Sequence, residues 1–214
     1  MGNRKCLIVT LADNNFISQA KQLFSSIYWS SGWDGDYMLL AHNIEEHDLK
    51  WFTNKGILVT SCNLVTEKPW GKNGDFFKPL IADKFYLFKE EFKKWEKIIY
   101  IDADIIVIGP LDELTKVKKF GAVNDIFNRK MHTQFDLDED KCLLFNDFNL
   151  NRKAFNAGLF VFNTELIYPN LFNELCDFLN HYNSCLKYGE QSALNYFFGD
   201  IREELPAIYN VCVN

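Results

Sequence analysis

With 214 residues, 48% of them hydrophobic and 24% charged, the chain is long enough to bury the core of one α/β domain. Its formal net charge of −6 excludes the broad basic face that a nucleic-acid partner requires, although a small phosphorylated ligand stays compatible if a divalent cation supplies the positive charge. No apolar stretch approaches the roughly 18 residues of a membrane span, and Arg4 and Lys5 lead directly into an apolar run rather than a signal peptide, so the expectation is a cytoplasmic protein.

Cys6 to Leu11 (CLIVTL) reads as a strand buried on both faces of a parallel sheet. Phe16, Ala20, Leu23, Phe24, Ile27 and Tyr28 then fall at helical spacing, with Asn14 or Asn15 placed to cap the helix start. Tyr37 to Ala41 is a second strand, Glu45 to Lys55 a helix, and Ile57 to Thr60 a third strand after Gly56. This βαβαβ rhythm predicts a doubly wound, nucleotide-binding type of sheet.

Phe77, Ile81, Phe85, Phe88 and Phe92 predict a helix beginning near Pro79. Lys97 to Ile101 (KIIYI) is the next buried strand, followed at once by Asp102 and Asp104 and by a second apolar run, Ile105 to Ile108, stopped by Gly109-Pro110. Gly121 to Asn124 and Ala157 to Phe162 (AGLFVF) are further strands, separated by an acidic stretch from Asp125 to Lys153 that reads as an insertion over one face. Leu171, Leu175, Phe178, Leu179 and Tyr182 mark a helix, and Gln191, Leu194 and Phe198 a shorter one. The six cysteines (Cys6, Cys62, Cys142, Cys176, Cys185, Cys212) show no zinc-ligand spacing and are expected to be mostly reduced core thiols.

Chemistry concentrates on the acidic pair. Carboxylates at i and i+2 of an extended chain project to one side, so Asp102 and Asp104 can face one cation. They follow a buried strand, which places them at the carboxyl rim of a parallel sheet, where ligands of open α/β folds bind. A divalent ion there can bridge to a diphosphate and act as a Lewis acid. An EF-hand loop needs an oxygen ligand where Ile106 stands and a glycine where Val107 stands. A phosphatase of the haloacid dehalogenase type wants Thr or Val at the position of Ile106. A glycosidase needs its two carboxyl groups on opposite sides of a bond.

Several segments in the right order then resemble the glycogenin-like glycosyltransferases of family 8, whose fold is called GT-A. They are Val9-Thr10-Leu11 with Asn14, Lys84 ahead of the acidic pair, Tyr100-Ile-Asp102-Ala-Asp104-Ile-Ile-Val107, Phe155-Asn156-Ala157-Gly158, Glu190-Gln191-Ser192-Ala193-Leu194-Asn195, and Leu205-Pro206 with Tyr209-Asn210. The resemblance implies one GT-A domain over residues 1–214, a mostly parallel sheet flanked by helices, and transfer of a hexose or deoxyhexose from a UDP-sugar to a glycan or glycoprotein hydroxyl with Mn²⁺ or Mg²⁺.

By the same resemblance, Thr10, Leu11 and Asn14 hold the uracil and ribose, and Phe16 stands where an aromatic ring stacks on the base. Lys84 turns toward the donor, Asp102-Ala103-Asp104 holds metal and diphosphate, and Asp125 contacts the donor sugar. Asn156 reaches the sugar or its leaving phosphate, while Glu190 and Gln191 face the anomeric carbon, with Glu standing where Asp is usual. His42, His47, His132 and His181 match no ligand position of the family. The family continues past the Tyr-Asn segment to a His-x-x-Gly-x-x-Lys-Pro element that completes the metal site, whereas this chain stops at Asn214. The expectation is therefore either an amino-terminal portion of a longer protein or a site of two carboxylates, phosphate oxygens and water, with weaker binding. Two rivals differ in class. A sugar nucleotidyltransferase needs a glycine-rich basic loop where Ala12-Asp13-Asn14-Asn15 stands, and a binding module would hold nucleotide-sugar without turning it over.

Overall fold

The computed structural model describes residues 6–67, 79–136 and 149–211. Phe77, Cys142 and Cys212 of the sequence reading lie outside them. The elements are β1 (Cys6–Ala12), α1 (Ile17–Ser30), β2 (Asp36–His42), α2 (Glu46–Thr53), β3 (Leu58–Cys62), β4 (Lys97–Ile101), β5 (Phe120–Asn124), β6 (Phe155–Asn163), α3 (Leu171–His181), α4 (Glu190–Phe198) and β7 (Arg202–Leu205). Seven strands form one sheet in the order β3-β2-β1-β4-β6-β5-β7. All pairings are parallel except those of β6, which runs antiparallel to both β4 and β5.

Alternation along the strands divides the core between two faces. Leu7, Val9, Ile98 and Tyr100 pack with Phe160, α3 and α4 on one face. Ile8, Ile99 and Ile101 pack with Ala20, Leu23, Phe24 and Ile27 of α1 on the other. Much of the phenylalanine content is spent on the first face, where Phe88 stacks on Phe162 at 4.7 Å and Phe120 on Phe198 at 4.8 Å between ring centroids.

Three expectations need correction. The helix expected from Pro79 is two 3-10 runs, Pro79–Phe88 and Glu90–Lys94, parted by an extended Lys89. Its residues Ala82, Asp83, Lys84, Phe85, Leu87 and Phe88 are buried on almost every side, so packing rather than one apolar face sets its winding. The run Ile105 to Ile108 is no strand: Ile105 N–H donates to Asp102 O at 3.1 Å, turning the chain out of the sheet and leaving Ile106 and Ile108 exposed. Neither Asn14 nor Asn15 caps α1; the Asp13 carboxylate accepts the N–H groups of Asn15 and Phe16 instead. Among the described residues Cys6, Cys62 and Cys176 are free thiols, in keeping with mostly reduced cysteines, and Cys185 is disulfide-bonded. β7 was not expected, because Arg-Glu-Glu-Leu carries the charges that protect a sheet edge rather than an apolar run. Among the described residues no helix is long and apolar enough to cross a membrane.

Candidate functional site

The sheet topology explains why distant segments meet. β1, β2, β4 and β5 end on one rim, and β6, being antiparallel, begins there. Residues 102, 125 and 156 therefore share an edge although their segments are far apart in sequence.

Asp102 is fixed from several sides. Its N–H donates to Gly158 O at 2.7 Å. Its Oδ1 accepts the Tyr100 hydroxyl at 2.7 Å and lies 3.2 Å from Lys84 Nζ. Oδ2 is the oxygen that faces Gly158, 3.0 Å from where a Cβ there would stand. Asp104 is exposed beyond the turn, so the two carboxylates are not presented by an extended chain as expected. They still share a locality: partial burial and then the Asp102 charge push the Asp104 carboxyl above its usual range, with Lys84 opposing.

Lys84 is only 2% exposed, so it is no solvated helix lysine. Its ammonium donates to Ala157 O and Glu190 Oε1, both at 3.2 Å, and lies over the Tyr100 ring at 4.9 Å. Burial opposes its charge, but Asp102 and Glu190 outweigh burial and hold its pKa above the ordinary lysine value. Glu190 opens α4. Burial raises its carboxyl pKa, Lys84 pulls the other way, and Oε2 is buried without a hydrogen-bond partner.

Gln191 accepts the Ala157 N–H at 3.1 Å through Oε1 and shares its amide N–H groups between Asp125 Oδ2 at 3.4 Å and Gln134 Oε1 at 3.3 Å. Asp125 also accepts from Ile126 N–H at 2.8 Å and from Gln134 Nε2 at 3.1 Å. Asn156 Oδ1 accepts the Gly158 N–H at 2.8 Å and Asn210 Nδ2 at 2.7 Å. Lys84, Asp102, Asp125, Asn156, Glu190 and Gln191 thus belong to one connected network. A cavity of about 400 Å³ opens beside it, with Asp125, Asn156, Asn210, Phe127 and Pro206 in its wall.

The residues expected at the nucleoside end lie elsewhere on the rim. Thr10 and Leu11 are buried in β1, Thr10 with an unpartnered hydroxyl. Ala103 is buried among the α1-side core residues. Phe16 is 36% exposed, hence not a core residue of α1. Asn14 donates to Asn43 O at 3.3 Å and lines a second cavity of about 380 Å³ with His42, Leu64 and Leu80. Sequence reasoning missed Tyr100, Gln134, and the pair His42 and Asp83. Only Tyr100 carried a usable signal, two residues before Asp102 and so on the same face of the chain.

Among the described residues no group of three His, Cys, Asp or Glu side chains is placed to hold a metal. The donor chemistry nevertheless fits a hard divalent cation. Asp102 Oδ2 and the Asp104 carboxylate are oxygens, and such ions accept phosphate oxygens and water for the remaining positions. Among the described residues Lys84 is the one ammonium in contact with Asp102 and Glu190, which leaves these groups with Asp104 net negative.

The profile of Glycosyl transferase family 8 matches residues 8–214. Among curated proteins, the glycosyltransferase GlyF of Streptococcus pneumoniae is 23% identical over 219 residues, covering 96% of this chain and 49% of GlyF. Galactinol synthase 3 of Arabidopsis thaliana is 33% identical over 140 residues, covering 56% of this chain and 39% of that protein. The chain thus spans about half the length of GlyF and less of the galactinol synthase. Among solved structures, galactosyltransferase LgtC in complex with donor and acceptor sugar analogs superposes with a TM-score of 0.72 at 16% identity, over 94% of this chain and 73% of that one. The bifunctional WbbM enzyme gives 0.69 at 19% identity, over 96% and 39%. At these identities the likeness is one of fold, the GT-A arrangement.

Proposed function

Because the chain belongs to glycosyltransferase family 8, we propose that it transfers a hexose or deoxyhexose from a UDP-sugar to a hydroxyl of a glycan or glycoprotein, with Mn²⁺ or Mg²⁺ held by Asp102 and Asp104. The observation that carries this reading is the state of Asp102: Oδ1 is occupied by Tyr100 and Lys84, and Oδ2 is left at the rim over a glycine. That is a carboxylate preset to offer one oxygen. When bound, the cation supplies Lewis-acid neutralisation of the leaving diphosphate.

The chain's own residues divide the remaining work. Lys84 and Tyr100 fix the Asp102 carboxylate before any ligand arrives, so that little reorganisation is needed on binding. The Glu190 carboxylate holds the Lys84 ammonium beside Asp102. Gln191, held by Ala157, Asp125 and Gln134, places an amide dipole next to that carboxylate to steady positive charge developing at the anomeric carbon. No side chain is assigned as a covalent nucleophile. Front-face attack with retention, the departing phosphate taking the acceptor proton, follows the family pattern.

The acceptor enters the cavity beside Asp125 and Asn156. Phe127 stands at its mouth, 88% exposed, in a left-handed conformation (φ 58, ψ 22), with Asn128 also left-handed (φ 52). Strain at two successive non-glycine residues persists where function requires it, and an exposed ring at such a site is a stacking surface for a sugar.

The test is release of UDP from a UDP-hexose with Mn²⁺ present, compared between the wild type and Asp104→Asn. Loss of most of the rate in the variant is expected. A variant that releases UDP at the wild-type rate overturns the reading.

A further inference from the structure

The nucleoside end of the rim contains a hydrogen-bonded relay that the mechanism above does not use. Asp83 is fully buried. Its Oδ1 accepts the Val65 N–H at 3.2 Å, and its Oδ2 lies 2.7 Å from His42 Nδ1. The other ring nitrogen of His42, Nε2, lies 3.1 Å from Asn43 Nδ2. A carboxylate only accepts, so Nδ1 carries the proton and donates to Asp83. In that tautomer Nε2 accepts, and Asn43 turns its NH₂ toward it, as the 3.1 Å contact of Nδ2 has it.

This fixes the Asn43 amide. With Nδ2 spent on His42, Oδ1 is left as an acceptor on a residue that borders the cavity of about 380 Å³. Asn43 is itself exposed and left-handed (φ 49), and its carbonyl takes the Asn14 amide at 3.3 Å. The cavity wall combines these polar edges with apolar Leu64, Pro79 and Leu80, the mixture that suits a flat heterocycle. Its place also fits. Asn43 follows β2, and β2 is separated from β4, the strand of Asp102, by β1 alone. Two strand spacings are about 10 Å, the interval a ribose and diphosphate must bridge.

We propose that Asn43 is the base-selecting residue of the donor site, with His42 and Asp83 as positioning residues: Asn43 Oδ1 accepts the ring N3–H of uracil and turns away cytosine, whose N3 is itself an acceptor. The inference rests on the donor-site reading above and adds to it the origin of base preference.

The experiment measures UDP and CDP binding by titration calorimetry with Mn²⁺ present. Wild type binds UDP about tenfold or more tighter than CDP, the effect of one well-made hydrogen bond exchanged for facing lone pairs. Asn43→Ala brings the ratio toward one. Asp83→Asn is the sharper variant. Its carbonyl arm stays on the Val65 N–H, its NH₂ arm meets His42 Nδ1, and the tautomer reverses. Asn43 then turns Oδ1 to His42 and Nδ2 to the cavity, so the preference shifts toward CDP although no ligand-facing atom was removed. A merely structural role for Asp83 would weaken both nucleotides alike. If Asp83→Asn fails to fold, the exposed Asn43→Ala still decides. Wild type binding both nucleotides equally, or variants keeping the wild-type ratio, overturns this inference while the donor site stands. Wild type binding neither overturns both.

Discussion

Asp102 and Gly158 are joined through the backbone, where the Asp102 N–H meets the Gly158 carbonyl at 2.7 Å, and crowded through the side chain, where a Cβ on Gly158 would stand 3.0 Å from Asp102 Oδ2 and 2.8 Å from Asn156 Oδ1. One methyl group therefore presses on the carboxylate proposed to hold the metal and on the amide beside it. Gly158→Ala is expected to cost about 1–3 kcal/mol of stability through overpacking. It should also weaken Mn²⁺ binding, read as a smaller metal-induced rise in melting temperature. A variant with the wild-type metal response would show that Asp102 is free to move aside.

Lys84 touches two carboxylates at 3.2 Å with almost no access to water. Lys84→Met keeps the bulk and removes the charge, leaving Asp102 and Glu190 facing one another without a counterion. The expected loss is about 3–5 kcal/mol, the usual cost of breaking one side of a buried ion pair. Urea unfolding checks it, and a loss under about 1 kcal/mol would mean that water screens the cluster.

Burial pushes the Asp83 carboxyl up to about 6, against hydrogen bonds from His42 and Val65. The ordinary value is 3.8, so between about pH 4 and pH 6 the folded state binds this proton more readily than the unfolded chain. Its stabilising contribution is complete below about pH 4 and is lost as pH rises through 6. Against Asp83→Asn, whose side chain at this position cannot titrate, wild type should lose stability between pH 4 and pH 7. Parallel stability curves for the two proteins would contradict the burial argument.

The sequence announced the parts whose signal is local. CLIVTL and KIIYI are buried on both faces because parallel strands demand it, and their ends locate Asp13 and Asp102 on the rim. What escaped was set by partners far along the chain. Lys84 meets Glu190 across 106 residues, and His42 meets Asp83 across 41. No spacing rule encodes either contact, since both depend on a 3-10 run wedged under the sheet rim where a regular helix was expected. The acidic pair was found, but its geometry was not, because the Asp102 to Ile105 turn bends a chain that apolar content alone would keep extended.

Phe127 separates stability from function in one residue. Its left-handed backbone is strained for any residue with a Cβ, and its ring gains little from burial at 88% exposure. If folding alone governed this position, glycine would be preferred, since it adopts φ 58 without steric cost. Phe127→Gly is therefore expected to melt at or above the wild-type temperature, with up to about 1 kcal/mol gained from released strain and partly offset by the freer unfolded chain. The same variant should lose transfer to a glycan acceptor, through a raised acceptor KM, while release of UDP from UDP-sugar in water persists, because the groups proposed to hold metal and donor are untouched. Thermal melts and acceptor titrations decide the matter together. Unchanged acceptor KM with raised stability would leave the strained ring without a role, and would move the acceptor away from the cavity beside Asp125.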